Sequence, residues 1–254
     1  MMKPSELKKF EVRIAQIAPL ASQQWSLWVH CEDHQLPDFQ AGQFCMLHFP
    51  AWMDPVLPRP YAIVEKKDQM YRFIFRVEGK FTKLLASQSK GARLEMLGPL
   101  GLPAPRPSGK KVIVAGGVGL SSLMSLLQET EASDLLFYGV RKDLERIRME
   151  FPAKTLLASD DGSCGFQGRL HELLKAKQDL WQDAAAFYIC GPDPMMKACF
   201  HVLPKERSYF FLEESMGCGF GICMGCVVQT KNEDFPKKSC VSGPVFRGDD
   251  LALW

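Results

Sequence analysis

The sequence predicts a multidomain α+β protein with three units: an N-terminal antiparallel β-barrel over 1–107, a doubly wound α/β unit over 108–212 and a small C-terminal unit over 213–254. Three observations predict it. Short β-rich runs separated by Gly and Pro turns fill the first part, apolar strands alternate with helical patterns in the second, and glycine and cysteine crowd the last.

In the first unit, strand-like runs fall at 10–14, 26–29, 43–47, 61–64 and 71–77. The Pro-rich segment 99–107 then breaks any periodic pattern and ends in Ser108-Gly109-Lys110-Lys111, a linker composition. Beyond it, strands are expected at 112–115, 135–138, 155–157, 186–189 and 209–212, with helices reaching about residue 131, starting at Asp143, and spanning 195–202. Strand and helix alternating at this spacing imply a parallel sheet with a helix on each crossover. The last unit is too short to bury a core of its own and needs another means of cohesion.

With 254 residues, 46% of them hydrophobic, the chain can bury a sizeable interior. Its 31 Lys and Arg against 29 Asp and Glu leave a net charge of +2, which gives no field for nonspecific attraction to nucleic acid or an anionic membrane. The most apolar stretch, 112–127, carries three glycines and three serines and falls short of the ~20 residues that span a bilayer. No secretory signal pattern opens the sequence, so a cytoplasmic protein is expected.

Nine cysteines are present, and four of them, Cys218, Cys223, Cys226 and Cys240, share the spacing C-x4-C-x2-C-x13-C. That is the plant-type [2Fe–2S] arrangement: three thiolates on one tight loop and a fourth returning from a hairpin, here 227–230 pairing with the segment that ends at Cys240. Gly217, Gly219, Gly221 and Gly225 suit a loop that wraps a cluster closely. Four thiolates are also a zinc set, and two disulfides would use the same residues.

The run from Glu213 to Val227, followed by Cys240-Val241-Ser242-Gly243-Pro244-Val245-Phe246, resembles the C-terminal domain of the electron transfer subunits of NAD-dependent dihydroorotate dehydrogenase, within the ferredoxin reductase-like superfamily. The resemblance extends in order over nearly the whole chain. It implies an FAD-binding barrel, an NAD-binding α/β domain and a [2Fe–2S] domain.

Arg59-Pro60-Tyr61-Ala62 is similar to the superfamily's flavin motif, which implies phosphate binding by Arg59 and contact of Tyr61 with the isoalloxazine; Ala62 stands where a hydroxyl is usual. Ile74-Phe75-Arg76 and Gly79-Lys80-Phe81-Thr82 resemble the segments that hold the rest of FAD, with Thr82 expected to cap a helix over 83–89 and Phe81 in place of a glycine. Gly116, Gly117 and Gly119 join a strand to a helix, where backbone amides can receive a pyrophosphate, and Cys190-Gly191-Pro192 is similar to the turn beside the nicotinamide. Ser121-Ser122 replaces the proline usual after the first of these turns. Each short motif also has an ordinary structural reading: a packing turn, a small buried cysteine, or an exposed arginine beside a core tyrosine.

The resemblance implies an electron-transfer function. A nicotinamide exchanges two electrons as a hydride, a [2Fe–2S] cluster carries one, and a flavin, which has a stable one-electron state, joins them. No residues remain for an FMN site or a substrate base, so an FMN-containing dihydroorotate dehydrogenase catalytic subunit is the expected partner, in a hetero-oligomer of the heterotetramer type. Two alternatives remain open: a related NAD(P)H flavin and iron–sulfur reductase serving a ferredoxin, sulfide or sulfite system, and a metal-stabilised, non-enzymatic binding module. NAD versus NADP also remains open, since Arg141 and Lys142 could meet a 2′-phosphate or face solvent.

Overall fold

A computed structural model describes residues 8–50, 54–231 and 236–252. The first strands are β1 (Lys9–Ala21), β2 (Gln24–His30), β3 (Phe44–His48), β4 (Arg59–Ala62), β5 (Glu65–Lys67) and β6 (Met70–Arg76); helix α1 (Lys80–Ala86) leads to β7 (Arg93–Leu100). They make one seven-stranded sheet in the order β4-β3-β7-β1-β2-β6-β5, every pair antiparallel. Strand β1 alternates Phe10, Val12 and Ile14 inward, pairs with β7 from Lys9 to Arg13 and with β2 from Arg13 to Ala21, with bulges at Ile14/Gln16 and Pro19/Ala21 along the second pairing.

The sheet closes on itself. Tyr61 of β4 lies 6.1 Å from Phe75 of β6, ring to ring, although those strands stand toward opposite ends of the order. Closure gathers Val12, Leu27, Leu47, Phe73 and Leu94 into one core, which is the barrel the sequence predicts.

The second part contains β8 (Lys111–Gly116), α2 (Leu120–Leu127), β9 (Leu135–Val140), β10 (Lys154–Ser159), β11 (Phe166–Gln167), α3 (Leu170–Ala176), β12 (Ala186–Cys190), α4 (Asp193–Phe200) and β13 (Ser208–Phe211). These strands run parallel in the order β11-β10-β9-β8-β12-β13. Successive side chains feed opposite faces: Val112, Val114 and Phe187 pack with α3 and α4, whereas Ile113, Leu136 and Tyr188 pack with α2. The order reverses between β8 and β12, which opens a crevice at their carboxyl ends.

Three helix expectations need correction. The first long helix ends at Leu127 rather than near residue 131. From Asp143 only a three-residue 3-10 turn forms, because the Ile147 N–H, which would close the first α-helical turn, donates instead to Tyr138 Oη at 3.1 Å. Helix α1 begins three residues before the expected 83–89 segment, with Gly79 at its N-cap; Thr82 lies inside the first turn, where its Oγ1 accepts the N–H groups of Glu78 and Gly79 at 3.0 and 3.1 Å. Thr82 therefore caps from within.

The last part adds β14 (Val227–Val228) and β15 (Lys237–Lys238), which pair as the expected hairpin, then α5 (Ser239–Ser242) and β16 (Val245–Arg247). Strand β16 joins the second sheet antiparallel to β13, so this segment gains cohesion by completing its neighbour's sheet. Among the described residues no helix is long and apolar enough to cross a membrane, a statement that leaves β-strands aside.

Candidate functional site

Cys218, Cys223 and Cys226 sit on an irregular loop ahead of β14, and Cys240 lies on α5. Positive φ values of 80° at Gly219 and 90° at Gly221 turn the loop, and a Cβ at Gly219 would stand 2.6 Å from Met46 Cγ. The loop consequently lies against the barrel. Cys226 and Cys240 are buried with Phe44, Met46, Leu100 and Met216.

The four sulfurs come in two pairs. Cys226 Sγ and Cys240 Sγ are 3.2 Å apart, well beyond the ~2.0 Å of a disulfide, and the thiols of Cys218 and Cys223 hydrogen-bond each other. Burial opposes ionisation of Cys218, but the N–H groups of Cys223, Phe220 and Ile222 around its sulfur outweigh burial and lower its pKa. Cys240 is shifted the other way, by burial and by the adjacent Cys226. Among the described residues no three His, Cys, Asp or Glu side chains converge on one point. Two dithiol pairs joined by an amide-lined loop suit a binuclear iron centre with two thiolates per iron better than a single tetrahedral zinc.

Beside this loop a cleft of about 230 Å³ opens where all three parts of the chain meet. Pro60, Tyr61, Ala62, Ile74, Phe75, Arg76 and Thr82 line it from the barrel, Val118, Ser121 and Ser122 from the turn before and first residues of α2, and Glu213, Glu214 and Met216 from the segment after β13. Phe44 and Met216 belong both to this wall and to the apolar cluster around Cys226 and Cys240. The cleft and the thiol site thus share side chains. A flat heteroaromatic ring fits such a wall of aromatic and aliphatic groups with a few polar ones.

In this lining, Ser122 Oγ donates to Glu213 Oε1 at 3.2 Å, and Cys190 Sγ lies 3.6 Å from the same oxygen. The Glu213 side chain is exposed at the cleft, and the protein groups that wall the cleft there raise its pKa above the ordinary carboxylate range. Burial, and then the neighbouring Glu213, push the Cys190 thiol far up, so it stays an S–H donor.

A second cleft, of about 350 Å³, follows the carboxyl ends of the parallel strands: Gly116 and Gly117 after β8, Arg141 and Glu145 after β9, Asp160 after β10, and Pro192 after β12. Gly119 and Gly191 lie behind it for a steric reason. A Cβ on Gly119 would stand 2.8 Å from Cys190 C and O, and one on Gly191 would stand 3.0 Å from Gly116 Cα, so the two turns touch through bare backbone. Arg76 borders both clefts, which therefore adjoin.

Of the residues the sequence singled out, Arg59 and Phe81 are placed elsewhere. Arg59 Nη1 donates to the Leu57 and Pro58 carbonyls at 3.0 and 3.2 Å, and its guanidinium lies 6.0 Å from the Phe81 ring centre. Phe81 turns into the barrel core against Phe49 and Tyr61, because it occupies the inward face of α1. Glu213, Phe44, Met216 and Glu145 were missed. Glu213 opens the cysteine run and Ser122 breaks a proline pattern, and these were the available signals.

Residues 213–252 match the family model described as the iron–sulfur cluster binding domain of dihydroorotate dehydrogenase B. The chain is 38% identical over 225 residues to the dihydroorotate dehydrogenase B (NAD(+)) electron transfer subunit of Desulforamulus reducens, covering 81% of this chain and 84% of that protein. Its homologue in Aquifex aeolicus is 33% identical over 240 residues, with coverage of 90% and 92%. The solved NADH-dependent reduced ferredoxin-NADP oxidoreductase matches in fold with a TM-score of 0.79 at 24% identity, over 94% of this chain and 88% of that one. The ferredoxin NADP+ reductase of Neisseria gonorrhoeae gives 0.64 at 20%, over 77% and 90%. The fold is ferredoxin reductase-like, and these relatives favour a redox enzyme component over the binding-module and ferredoxin, sulfide or sulfite reductase readings: the chain belongs to the electron transfer subunits of NAD(+)-dependent dihydroorotate dehydrogenase B.

Proposed function

We propose that this protein passes electrons from the FMN of a dihydroorotate dehydrogenase catalytic subunit, through a [2Fe–2S] cluster and FAD, to NAD+ in cytoplasmic pyrimidine biosynthesis, within a heterotetramer of two subunits of each kind. FAD, when bound, takes up two electrons, one at a time from the cluster, together with a proton from solvent, and so supplies the hydride that NAD+ takes.

The chain's own residues supply the geometry. Residues 1–107 act as the flavin domain, 108–212 as the dinucleotide domain and 213–254 as the cluster domain. Cys218 with Cys223, and Cys226 with Cys240, hold the cluster. Tyr61, Ala62, Ile74, Phe75, Arg76 and Thr82 hold the flavin in the three-sided cleft, and Gly116, Gly117 and Pro192 border the site where NAD lies across the switch point. Glu213 lines the flavin cleft, where it accepts from Ser122.

The observation that supports this reading is the wall shared by Phe44 and Met216, which line the flavin cleft and pack with Cys226 and Cys240. It is tested by mixing the purified chain with an FMN-containing catalytic subunit under exclusion of oxygen. Dihydroorotate should reduce NAD+ only when both subunits are present and co-elute. NAD+ reduction by either subunit alone, or no complex between them, would refute the assignment.

A further inference from the structure

We infer that Glu145, by holding Arg141 in a bidentate pair beside Asp160, makes the second cleft select a dinucleotide with a free adenosine-ribose 2′-hydroxyl over a 2′-phosphorylated one. The inference rests on reading that cleft as the NAD site and names the residues that set its selectivity.

Arg141 follows β9 directly and stands 22 residues after Gly119. At about this distance beyond a glycine turn, an acidic side chain receives the ribose 2′-hydroxyl, whereas an arginine receives a 2′-phosphate. Taken alone, the sequence offers the phosphate-binding residue.

The structure narrows the choice that the sequence leaves open. Arg141 Nε donates to Glu145 Oε2 at 3.1 Å and Nη2 to Oε1 at 2.7 Å, so the edge of the guanidinium that would grip a phosphate is already engaged. The turn carrying Glu145 is fixed from several sides. Gln24 Nε2 donates to the Glu145 carbonyl at 2.5 Å, Ser22 N–H donates to the Leu144 carbonyl at 3.0 Å, and Arg146 Nε binds Asp143 Oδ1 at 2.8 Å. Two of these anchors come from the barrel.

Asp160, at the end of β10, borders the same cleft, and its N–H donates to the Val140 carbonyl at 3.2 Å, tying the ends of β9 and β10 together. Arg76, Arg169 and His171 also line this cleft, but a 2′-phosphate that seeks Arg141 meets Glu145 and Asp160 at that end and has to displace Glu145 from the guanidinium. A 2′-hydroxyl instead finds acceptors. Because the Arg141 side chain is 60% exposed, the ion pair adds little to stability, and its consequence lies in which charge the cleft presents.

Binding of NADH and of NADPH to the FAD- and iron-loaded protein, first reduced with dithionite so that the flavin cannot accept hydride, and measured by fluorescence titration without oxygen, tests the inference. The unaltered protein should bind NADH the more tightly. Glu145→Gln should tighten NADPH roughly tenfold or more relative to NADH, and adding Arg141→Ala to it should cancel the gain. An unchanged ratio in Glu145→Gln, or a native preference for NADPH, overturns the inference while leaving the cleft a dinucleotide site. Binding of neither nucleotide by the unaltered protein overturns the reading of the cleft itself.

Discussion

Ser122 Oγ lies 3.2 Å from Glu213 Oε1, joining the first turn of α2 to the residue that opens the cysteine segment. The contact bridges two parts of the chain in the lining of the first cleft, which Ala62 also lines, where the superfamily's usual hydroxyl is missing. Two of the departures noted in the sequence, Ala62 and Ser122, thus line the same space, and the serine returns a hydroxyl to it. Ser122→Ala should cost about 0.5–1.5 kcal/mol in urea unfolding of the apoprotein, with a visible-spectrum change in the bound flavin. An unaltered flavin spectrum would show that the hydroxyl is not sensed there.

The protein groups around Glu213 raise its pKa in the folded state, so its contribution to stability is full below the unfolded carboxylate value near 4.5 and falls as pH rises through the folded value. Glu213→Gln removes that titration. From pH 4.5 to 7.5, the native apoprotein should lose stability relative to Glu213→Gln; parallel curves would contradict the sign.

A methyl group at Gly119 would press to 2.8 Å on the Cys190 carbonyl and force apart the two turns that frame the dinucleotide cleft. Gly119→Ala should cost about 1–3 kcal/mol through overpacking, and should weaken NADH binding at least tenfold while iron and flavin contents stay at native levels.

Phe44 is shared by the flavin cleft and the apolar surroundings of Cys226 and Cys240. Phe44→Ala should destabilise the fold by about 3–5 kcal/mol and lower both flavin and iron content after purification, measured on one sample. Loss of one cofactor without the other would separate sites that here share a wall.

Much of this was legible from periodicity and spacing. Strand β8, with Val112 and Val114 on one face and Ile113 on the other, reads as a buried parallel strand, and the cysteine spacing alone proposes the four-thiolate site, though not its division into pairs. Strand β5 was not legible because Glu65-Lys66-Lys67 carries no apolar signal; it is held only by its backbone pairing with β6. Strand β7 does alternate, Leu94 and Met96 inward against Arg93 and Glu95, but charged neighbours and Pro99 mask it. Helix α3 starts where Arg169 N–H donates to Glu172 Oε2 at 2.7 Å, a cap with no Ser, Thr, Asp or Asn to announce it. The failed helix from Asp143 has its cause in a tertiary hydrogen bond, Ile147 to Tyr138, which local sequence does not carry. The roles of Glu213 and Glu145 likewise depend on partners 91 and 4 residues away, and only the fold brings the first of these pairs together.

The central claim is that Cys218, Cys223, Cys226 and Cys240 hold a one-electron iron centre against a flavin. Iron, acid-labile sulfide, zinc and FAD measured together on protein purified without oxygen, followed by electron paramagnetic resonance of the reduced sample, test it most directly. The expected result is about two irons and two sulfides per FAD, with a binuclear iron–sulfur signal that vanishes in Cys226→Ser. Stoichiometric zinc with no iron, or iron lacking sulfide, would contradict it.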